Sequence, residues 1–313
     1  MTTPTAEGHK ASPLFPVAAL TLNALIWGLS WWPFRALDAL GVHALWATAL
    51  VFSLAFCVVW LGVRVWRPVS LHGAITNGGL WLLAIAAGFT NVGFNWAVTT
   101  GDVVRVVLLF YLMPAWVVLL AWPLLGERPG LGALLRLAMA LAGVLLVLKT
   151  PDSPWPVPES LTDWLALAAG LCFALTNILL RRLQGSTDAA RMLAMFAGGA
   201  VVALAVAGVG GWGGWVPLPP APRADWLLWT AGLGVAFLVG NMALQYGAAR
   251  LRANTSSLVM LSEVVFASLS AVWLGAAQLE PRTLLGGALI VLAALMASWA
   301  QATPTTPPQE PAA

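Results

Sequence analysis

Charged side chains are scarce in this chain of 313 residues, because Asp, Glu, Lys and Arg together make up only 9% of it. A soluble domain averages about 25% charged residues. Hydrophobic residues account for 60%, so most of the surface must contact lipid rather than water. The 15 basic residues are scattered along the chain and form no patch, which excludes a nucleic-acid partner.

Motifs for catalysis and cofactor binding are also missing. The chain has no H-E-x-x-H, no G-x-S-x-G and no cysteine cluster, and its two cysteines, Cys57 and Cys172, are expected to be small buried side chains in apolar stretches. The stretch from Gly208 to Gly213 matches G-x-G-x-x-G, but it ends an apolar helix and follows no strand, so it does not indicate a dinucleotide site. We therefore expect no cofactor, no metal site and no enzyme activity.

Long apolar stretches are what the chain has instead. A helix that crosses a bilayer needs roughly 20 apolar residues, and the sequence contains ten such stretches. This pattern predicts an all-α membrane protein with ten transmembrane helices, TM1 to TM10, at residues 14–34, 42–62, 76–98, 102–122, 130–149, 160–181, 189–210, 225–247, 253–274 and 282–301.

The second half of the chain repeats polar positions of the first half. Asn91 and Asn95 in TM3 match Asn241 and Gln245 in TM8 at one offset of 150 residues. Amides in hydrocarbon are costly unless they are partnered or hydrated. Their recurrence at equivalent positions indicates a polar interior shared by two repeats, which is typical of transporters.

The repeat defines the predicted organisation. Residues 14–149 form the first five-helix repeat and residues 160–301 the second, joined by a Pro-rich external linker at 150–159. Residues 1–13 are expected to be a cytoplasmic N-terminal segment, and residues 302–313 a disordered cytoplasmic tail.

Basic residues in the loops predict the orientation. If the N-terminus lies inside, ten of the 15 basic residues fall on that side, and the other side holds Arg35, Arg105, Lys149, Arg223 and Arg282. The positive-inside rule then places both termini in the cytoplasm. Because five helices start inside and end outside, the second repeat must be inverted.

Three short motifs resemble the drug/metabolite transporter superfamily, specifically its ten-helix EamA type. They are the Trp27-Gly28 of TM1, the Leu-Gly-Glu-Arg that begins at Leu125, and the Leu-Ser-Glu-Val that ends at Val264, where the family usually has proline. With its 18 tryptophans, the chain looks most similar, within this family, to the bacterial aromatic amino acid exporters. The resemblance implies a multi-pass transporter of the bacterial inner membrane.

Six amides are candidate substrate-binding residues. A cavity-facing amide offers one donor and one acceptor, which suit the ammonium and carboxylate groups of an amino acid without adding charge. The alternative is that they bond neighbouring helices together, at about 1 kcal/mol or less each. The candidates are Asn23, Asn91, Asn95, Asn177, Asn241 and Gln245.

Aromatic side chains complete the candidate binding site. Trp27 shares a helix face with Asn23 and is expected to point inward, whereas Trp31 and Trp32 near the outer end of TM1 are expected to be interfacial anchors. Tyr111 in the middle of TM4 adds a hydroxyl. An aromatic wall would stack on an aromatic substrate.

Glu263 and Pro114 are the remaining candidates. Glu263 lies near the centre of TM9, where burial disfavours the charged form. It is either a site for proton coupling or substrate ammonium, or a structural acid. Pro114 removes a backbone hydrogen bond in TM4, which leaves either a static kink or a hinge.

These features predict a secondary transporter that exports a small organic metabolite, most simply an aromatic amino acid, by alternating access around a midplane cavity. Its expected partners are that substrate and the lipid bilayer. The oligomeric state stays open, and a monomer is compatible with the pattern. The alternatives are export of other amino acids or drugs, a membrane-embedded enzyme that modifies lipid, and a scaffold that transports nothing.

Overall fold

A computed structural model describes residues 14–66, 76–126, 129–149, 157–248, 250–251, 259–278 and 280–300, and every regular element in these ranges is an α-helix. The predicted N-terminal segment, most of the Pro-rich linker and the C-terminal tail lie outside the described residues. In the first half the helices are α1 (Leu14–Leu29) and α2 (Trp31–Ala39) in TM1, α3 (Ala44–Trp66) in TM2, α4 (Gly78–Thr100) in TM3, α5 (Val103–Phe110) and α6 (Met113–Leu125) in TM4, and α7 (Leu131–Leu148) in TM5.

In the second half the helices are α8 (Leu161–Arg182) in TM6, α9 (Asp188–Trp212) in TM7, α10 (Ala224–Ala248) in TM8, α11 (Ser262–Trp273) in TM9 and α12 (Pro281–Ala300) in TM10. Among the described residues, eight stretches are long and apolar enough to cross a membrane, and TM9 and TM10 contain shorter apolar helices. The prediction of an all-α membrane protein with ten spans is confirmed.

The polarity of the molecule is the reverse of that of a soluble protein. Large apolar side chains such as Trp212 and Trp273 are 94% and 86% exposed. Polar side chains such as Asn23, Asn95 and Glu263 are buried between the helices. This distribution suits a bundle whose outer surface contacts acyl chains, because polar groups in hydrocarbon need partners inside the protein.

The largest contacts between the two halves are symmetric under exchange of the halves. TM3 packs on TM6 as TM8 packs on TM1, TM3 packs on TM7 as TM8 packs on TM2, and TM4 packs on TM6 as TM9 packs on TM1. Three further contacts, TM2 with TM7, TM4 with TM9 and TM5 with TM10, map onto themselves. The chain therefore forms two inverted five-helix repeats, as predicted.

The ends of the spans lie on two faces of the molecule. We call them the linker face, where the first repeat ends and the second begins, and the terminal face, where TM1 begins. On the linker face, Arg35 at the end of TM1 donates to Val98 O at the end of TM3 (3.3 Å), and Trp46 at the start of TM2 donates to Pro217 O in the TM7–TM8 connection (3.0 Å). On the opposite, terminal face, Gly247 at the end of TM8 packs against Pro16 at the start of TM1.

Glycines let several helices approach closely. An ideal Cβ on Gly198 of TM7 would lie 1.9 Å from Ala84 O of TM3, and Gly143 of TM5 and Gly286 of TM10 each face the other's carbonyl oxygen at 2.6 Å in the same way. Small residues at such crossings allow the backbone contact that holds membrane helices together.

Two sequence-based expectations outside the site are wrong. Cys57 is exposed rather than buried, and Cys172 is only partly buried, because an apolar stretch in a membrane helix has a lipid face as well as a core face. Trp31 is 3% exposed and its indole N–H donates to Ser270 Oγ (3.0 Å), so it is an interior residue and not an anchor. Trp32 is 50% exposed, which fits an anchor.

Candidate functional site

TM4 is broken near its middle. Helix α5 ends at Phe110, Tyr111 and Leu112 form a turn, and α6 begins at Met113. Pro114 falls in the first turn of α6, where the missing N–H does not disrupt the helix; its side chain lies outside the described residues, and its role as a hinge stays a prediction. An ideal Cβ on Gly170 of TM6 would lie 2.7 Å from Phe110 O, the carbonyl to which Pro114 cannot donate.

TM9 is broken at the equivalent position. Residues 259–260 are helical, Leu261 is a turn residue and α11 begins at Ser262. Leu261 follows Tyr111 by 150 residues, the offset of the repeat. The Ser262 hydroxyl donates to Val259 O at 2.6 Å, so the side chain satisfies a carbonyl next to the break. Breaks in equivalent spans are typical of transporters with inverted repeats.

The two breaks meet at the centre of the bundle. The Tyr111 hydroxyl lies 2.9 Å from Glu263 Oε2 and 3.2 Å from Met260 O, and both Tyr111 and Glu263 are buried. A tyrosine hydroxyl has only one proton to donate. Both contacts are satisfied when the Glu263 carboxyl donates to Tyr111 and Tyr111 donates to Met260 O. In that arrangement the Glu263 carboxyl carries one proton.

TM1 contacts the second half beside this junction. The Asn23 side chain is fully buried; its Nδ2 lies 3.3 Å from Met260 Sδ, and its Oδ1 has no hydrogen-bond partner. One turn later the Trp27 ring stacks on Phe237 of TM8, with centroids 4.4 Å apart and an angle of 18° between the planes. Asn23, Trp27, Tyr111 and Glu263 thus belong to one interface between the two halves.

The repeated amides of TM3 and TM8 have different partners. Asn91 Nδ2 donates to Ala87 O (2.7 Å), and Asn95 Nδ2 donates to Thr48 Oγ1 (3.2 Å), which leaves Asn95 Oδ1 without a partner. In TM8, Gln245 Nε2 donates to Asn241 Oδ1 at 2.8 Å, and both side chains are partly buried. In the described part of the chain, these hydrogen bonds do not join the two amide pairs to each other.

A group of aromatic rings lies between TM3, TM4 and TM6. The Phe110 ring is 4.7 Å from the Phe94 ring and 5.4 Å from the Phe173 ring. Asn177, partly buried one turn beyond Phe173, donates to Phe173 O (3.0 Å) and lies 4.0 Å from Met113 Sδ. Sequence reasoning selected Asn177 but missed the three phenylalanines, because phenylalanine in an apolar helix gives no signal of its own.

The open space beside this interface is small. A crevice of about 20 Å³ adjoins Tyr111 between TM4, TM5 and TM10 and is also lined by Arg136, which is room for about one water. A larger recess of about 410 Å³ opens on the linker face and is lined by Asp102, Arg105 and Arg282. Among the described residues no cluster of His, Cys, Asp and Glu could hold a metal.

A buried ion pair on the linker face was also missed. Arg105 Nε lies 2.7 Å from Asp163 Oδ1, and Nη2 lies 2.9 Å from Asp163 Oδ2. The Arg105 Nη1 donates to Val147 O at 2.6 Å. Asp163 stands in the first turn of a helix, where an acid is commonly a surface residue that favours the helix dipole, so its position alone does not indicate a buried pair.

Comparisons with known proteins support the fold and the repeat. The sequence model of the EamA-like transporter family matches residues 14–149 and again residues 160–299. A crystal structure of a protein superposes with a TM-score of 0.59 at 20% sequence identity, covering 91% of this chain and 96% of that chain. No curated protein matches the sequence.

Proposed function

The chain belongs to the EamA-like transporter family, and from this premise we propose that it exports aromatic amino acids across the bacterial inner membrane by alternating access. As a member it is a multi-pass membrane transporter of the drug/metabolite superfamily. The substrate, the direction and the mechanism are our proposal. The observation that carries it is the meeting of two broken helices, one from each half, between Tyr111 and Glu263.

The chemistry at this junction suits a substrate with one polar and one aromatic end. Asn23 Oδ1 is a buried acceptor without a donor, and the Asn23 amide contacts Met260, whose carbonyl oxygen shares the Tyr111 hydroxyl with the Glu263 carboxyl. An ammonium group has donors for both the amide oxygen and the carboxyl. Phe110 and Phe173 offer ring faces on the other side of Tyr111, and ring contacts contribute about 0.5–1.5 kcal/mol each beyond burial.

The transport step is a change in which face the junction opens to. The Asn23–Met260 and Tyr111–Glu263 contacts both join the first half to the second half. When these contacts separate, a substrate can replace the protein groups and partner the freed amide and carboxyl. Rocking of the halves then exposes it to the other face. Pro114, next to the break in TM4, is the proposed hinge.

We also propose that Glu263 exchanges a proton during transport. While Glu263 is protonated, its carboxyl donates to Tyr111 and Tyr111 donates to Met260 O, so both contacts are satisfied. When Glu263 loses that proton, its carboxylate and Met260 O are two acceptors for the one hydroxyl proton of Tyr111. This competition favours separation of the junction. Transport independent of pH in both the wild type and Glu263→Gln would contradict this role.

The proposed orientation follows the positive-inside rule, with the terminal face in the cytoplasm and the linker face outside. The Asn91, Asn95, Asn241 and Gln245 amides line the path on either side of the junction in this proposal. Their partners in the closed arrangement are within the protein.

Counterflow in proteoliposomes tests the substrate class. We expect saturable exchange of labelled tryptophan that phenylalanine and tyrosine compete with and that lysine and glutamate do not. Trp27→Ala, which removes the ring stacked on Phe237, should reduce exchange about tenfold, whereas Trp32→Ala on the lipid face should not. Absence of exchange for all three aromatic amino acids would remove this substrate class.

The same assay separates the alternatives. Exchange of other amino acids or cationic drugs without aromatic amino acids would favour a different exporter of the family. A lipid product formed by the purified protein would favour a membrane enzyme. If Asn91→Ala combined with Asn241→Ala leaves any export phenotype of cells intact, a scaffold that transports nothing would be favoured.

A further inference from the structure

Helix α5, the outer half of TM4, is buried on all sides although it is only eight residues long. Seven of its residues are buried, and the exception is Arg105. It contacts TM3, TM5, TM6, TM9 and TM10. Because it begins at the linker face and ends at Tyr111, it fills the space between the candidate site and that face.

Arg105 ties this half-helix to the second repeat. Its guanidinium forms two hydrogen bonds with Asp163 of TM6, at 2.7 and 2.9 Å, and donates to Val147 O at the end of TM5 (2.6 Å). Asp163 Oδ2 also accepts the Glu159 N–H at 3.2 Å. The Asp163 side chain is 2% exposed, so the pair is completely enclosed on that side. A forked pair of this kind fixes orientation as well as distance.

The other end of the same half-helix is tied to the second repeat as well. Tyr111, the first residue after α5, bonds to Glu263 of TM9. A helix of eight residues is about 12 Å long, so the two contacts lie at the two ends of one short segment. Tilting α5 away from one partner therefore also pulls on the other, and the ion pair and the junction are mechanically linked.

The ion pair borders an open recess on one side. The recess on the linker face is lined by Arg105 and by the TM9–TM10 connection, including Gly275 and Gln278. The Arg105 side chain is 21% exposed there, whereas Asp163 is enclosed. If TM6 moved away from α5, the recess would extend along the half-helix toward Tyr111.

We propose that α5 is the gate of the transport path on the linker face, and that the Arg105–Asp163 pair is the latch that holds it closed. The inference rests on the proposed transport function, since a gate requires a path. Opening to this face separates the forked pair and exposes the buried side of α5. Closure restores the pair and seals the junction at Tyr111.

Accessibility of a cysteine on α5 tests the latch without any substrate. Val106→Cys, at a position 1% exposed, is introduced after Cys57 and Cys172 are replaced by serine. A membrane-impermeant maleimide is added to sealed vesicles of each orientation. Asp163→Asn should raise the labelling rate at least about tenfold from the linker face only, because the neutral amide loses the ion pair while keeping its shape.

Two controls make the result specific. Asp225→Asn breaks an exposed ion pair with Arg223 on the same face and should leave the rate within about twofold. Ala203→Cys, fully buried in TM7, should stay unreactive in the Asp163→Asn background. Labelling at both Val106→Cys and Ala203→Cys would show general loosening and contradict the gate.

An unchanged labelling rate in folded Asp163→Asn protein would also overturn the proposal. If that variant does not fold, Arg105→Lys decides, because it keeps the charge and loses the fork; we expect it to raise labelling about threefold or more, and no change would contradict the latch. The labelling test uses no substrate, so its result does not depend on whether aromatic amino acids are exchanged. The proposed gate and the proposed substrate class can therefore be contradicted separately.

Discussion

Two equivalent corners of the molecule, TM1 against TM9 and TM6 against TM4, share a backbone plan and differ in their side chains. In the TM1–TM9 corner Asn23 contacts Met260, and in the TM6–TM4 corner Phe173 contacts Phe110. The first contact brings an amide nitrogen to 3.3 Å from a sulfur atom, and the second brings two ring centroids to 5.4 Å from each other. The repeat supplies the geometry, and divergence has made one corner polar and the other aromatic.

The difference matters because a site between identical corners would present the same groups at both ends. Here Tyr111 lies between the corners, bonded to Glu263 on the polar side and 6.0 Å from the Phe110 ring on the aromatic side. A substrate with an amino-acid end and a ring end would have one orientation across the junction. An inverted repeat thus permits symmetric motion together with an asymmetric site.

The largest expected effect comes from substituting a glycine at a helix crossing where the two backbones are in contact. The TM3–TM7 and TM2–TM8 crossings are equivalent, but a Cβ on Gly198 would lie 1.9 Å from Ala84 O. A Cβ on Gly234 would lie 2.9 Å from the flexible Leu54 side chain, and the nearest backbone atom, Val51 O, is at an ordinary contact distance of 3.6 Å. Overpacking costs about 1–3 kcal/mol where side chains can shift, and more against backbone.

We therefore expect Gly198→Ala to abolish most folded protein and Gly234→Ala to keep it. Size-exclusion chromatography in detergent and thermal unfolding measure both. Equal yields and equal melting temperatures for the two variants would show that the TM3–TM7 crossing is looser than described.

The next largest effect should come from the phenol that joins the corners. Tyr111→Phe removes the hydroxyl, so the Glu263 carboxyl loses its hydrogen-bond partner and Met260 O loses its donor in the buried junction. An unsatisfied buried polar group costs about 1–3 kcal/mol. We expect a matching loss of stability and about a tenfold loss of exchange in proteoliposomes.

The chain offers a matched control, because its only other tyrosine is Tyr246 in TM8, which is 42% exposed. Tyr246→Phe should change stability by no more than about 0.5 kcal/mol and leave exchange intact. A similar loss in both variants would mean that the junction has no special role.

The smallest effect concerns the caps of TM2 and TM7, which are equivalent helices. His43 Nδ1 accepts the Leu45 N–H (3.2 Å) just before helix α3, and the Thr187 hydroxyl accepts the Ala190 N–H (3.2 Å) just before helix α9. Burial lowers the pKa of His43, and the nearby Asp38 raises it only in part. Protonation of Nδ1 removes the acceptor, whereas the threonine cap does not titrate.

Because the pKa of His43 is lower in the folded state, the unfolded chain binds a proton first as the pH falls. The stability from this cap is complete above the usual histidine pKa of about 6.5 and is lost as the pH falls below it. Melting temperatures at pH 7.5 and 5.5 should differ less for His43→Thr than for the wild type. An equal or larger decrease in the variant would contradict the assignment.

The sequence predicted the architecture well, because the number of spans depends on local composition and the repeat on an offset that changes by only a few residues along the chain. The amides at Asn23, Asn91 and Asn177 stood out because polar groups are rare in these helices. The hydrogen bond between Tyr111 and Glu263 could not be predicted, since it depends on how TM4 and TM9 cross.

Two other features escaped prediction for related reasons. The faces of TM1 and TM2 were ambiguous where both lipid and core accept the same residues, so Trp31 and Cys57 were assigned to the wrong side. The pairing of Arg105 with Asp163 joins residues 58 apart in sequence across two repeats, and charges at helix ends ordinarily lie in water.

The most direct test of the account is a reversible lock on the TM1–TM9 corner. Asn23→Cys and Met260→Cys, in protein whose native Cys57 and Cys172 are replaced by serine, are joined by a short reducible thiol cross-linker across the 3.3 Å contact. We expect exchange of labelled tryptophan in proteoliposomes by this double-cysteine protein to stop when the link forms and to return to its rate before cross-linking when the link is reduced. Undiminished exchange through fully cross-linked protein would contradict the account, because the two halves would then not need to separate there.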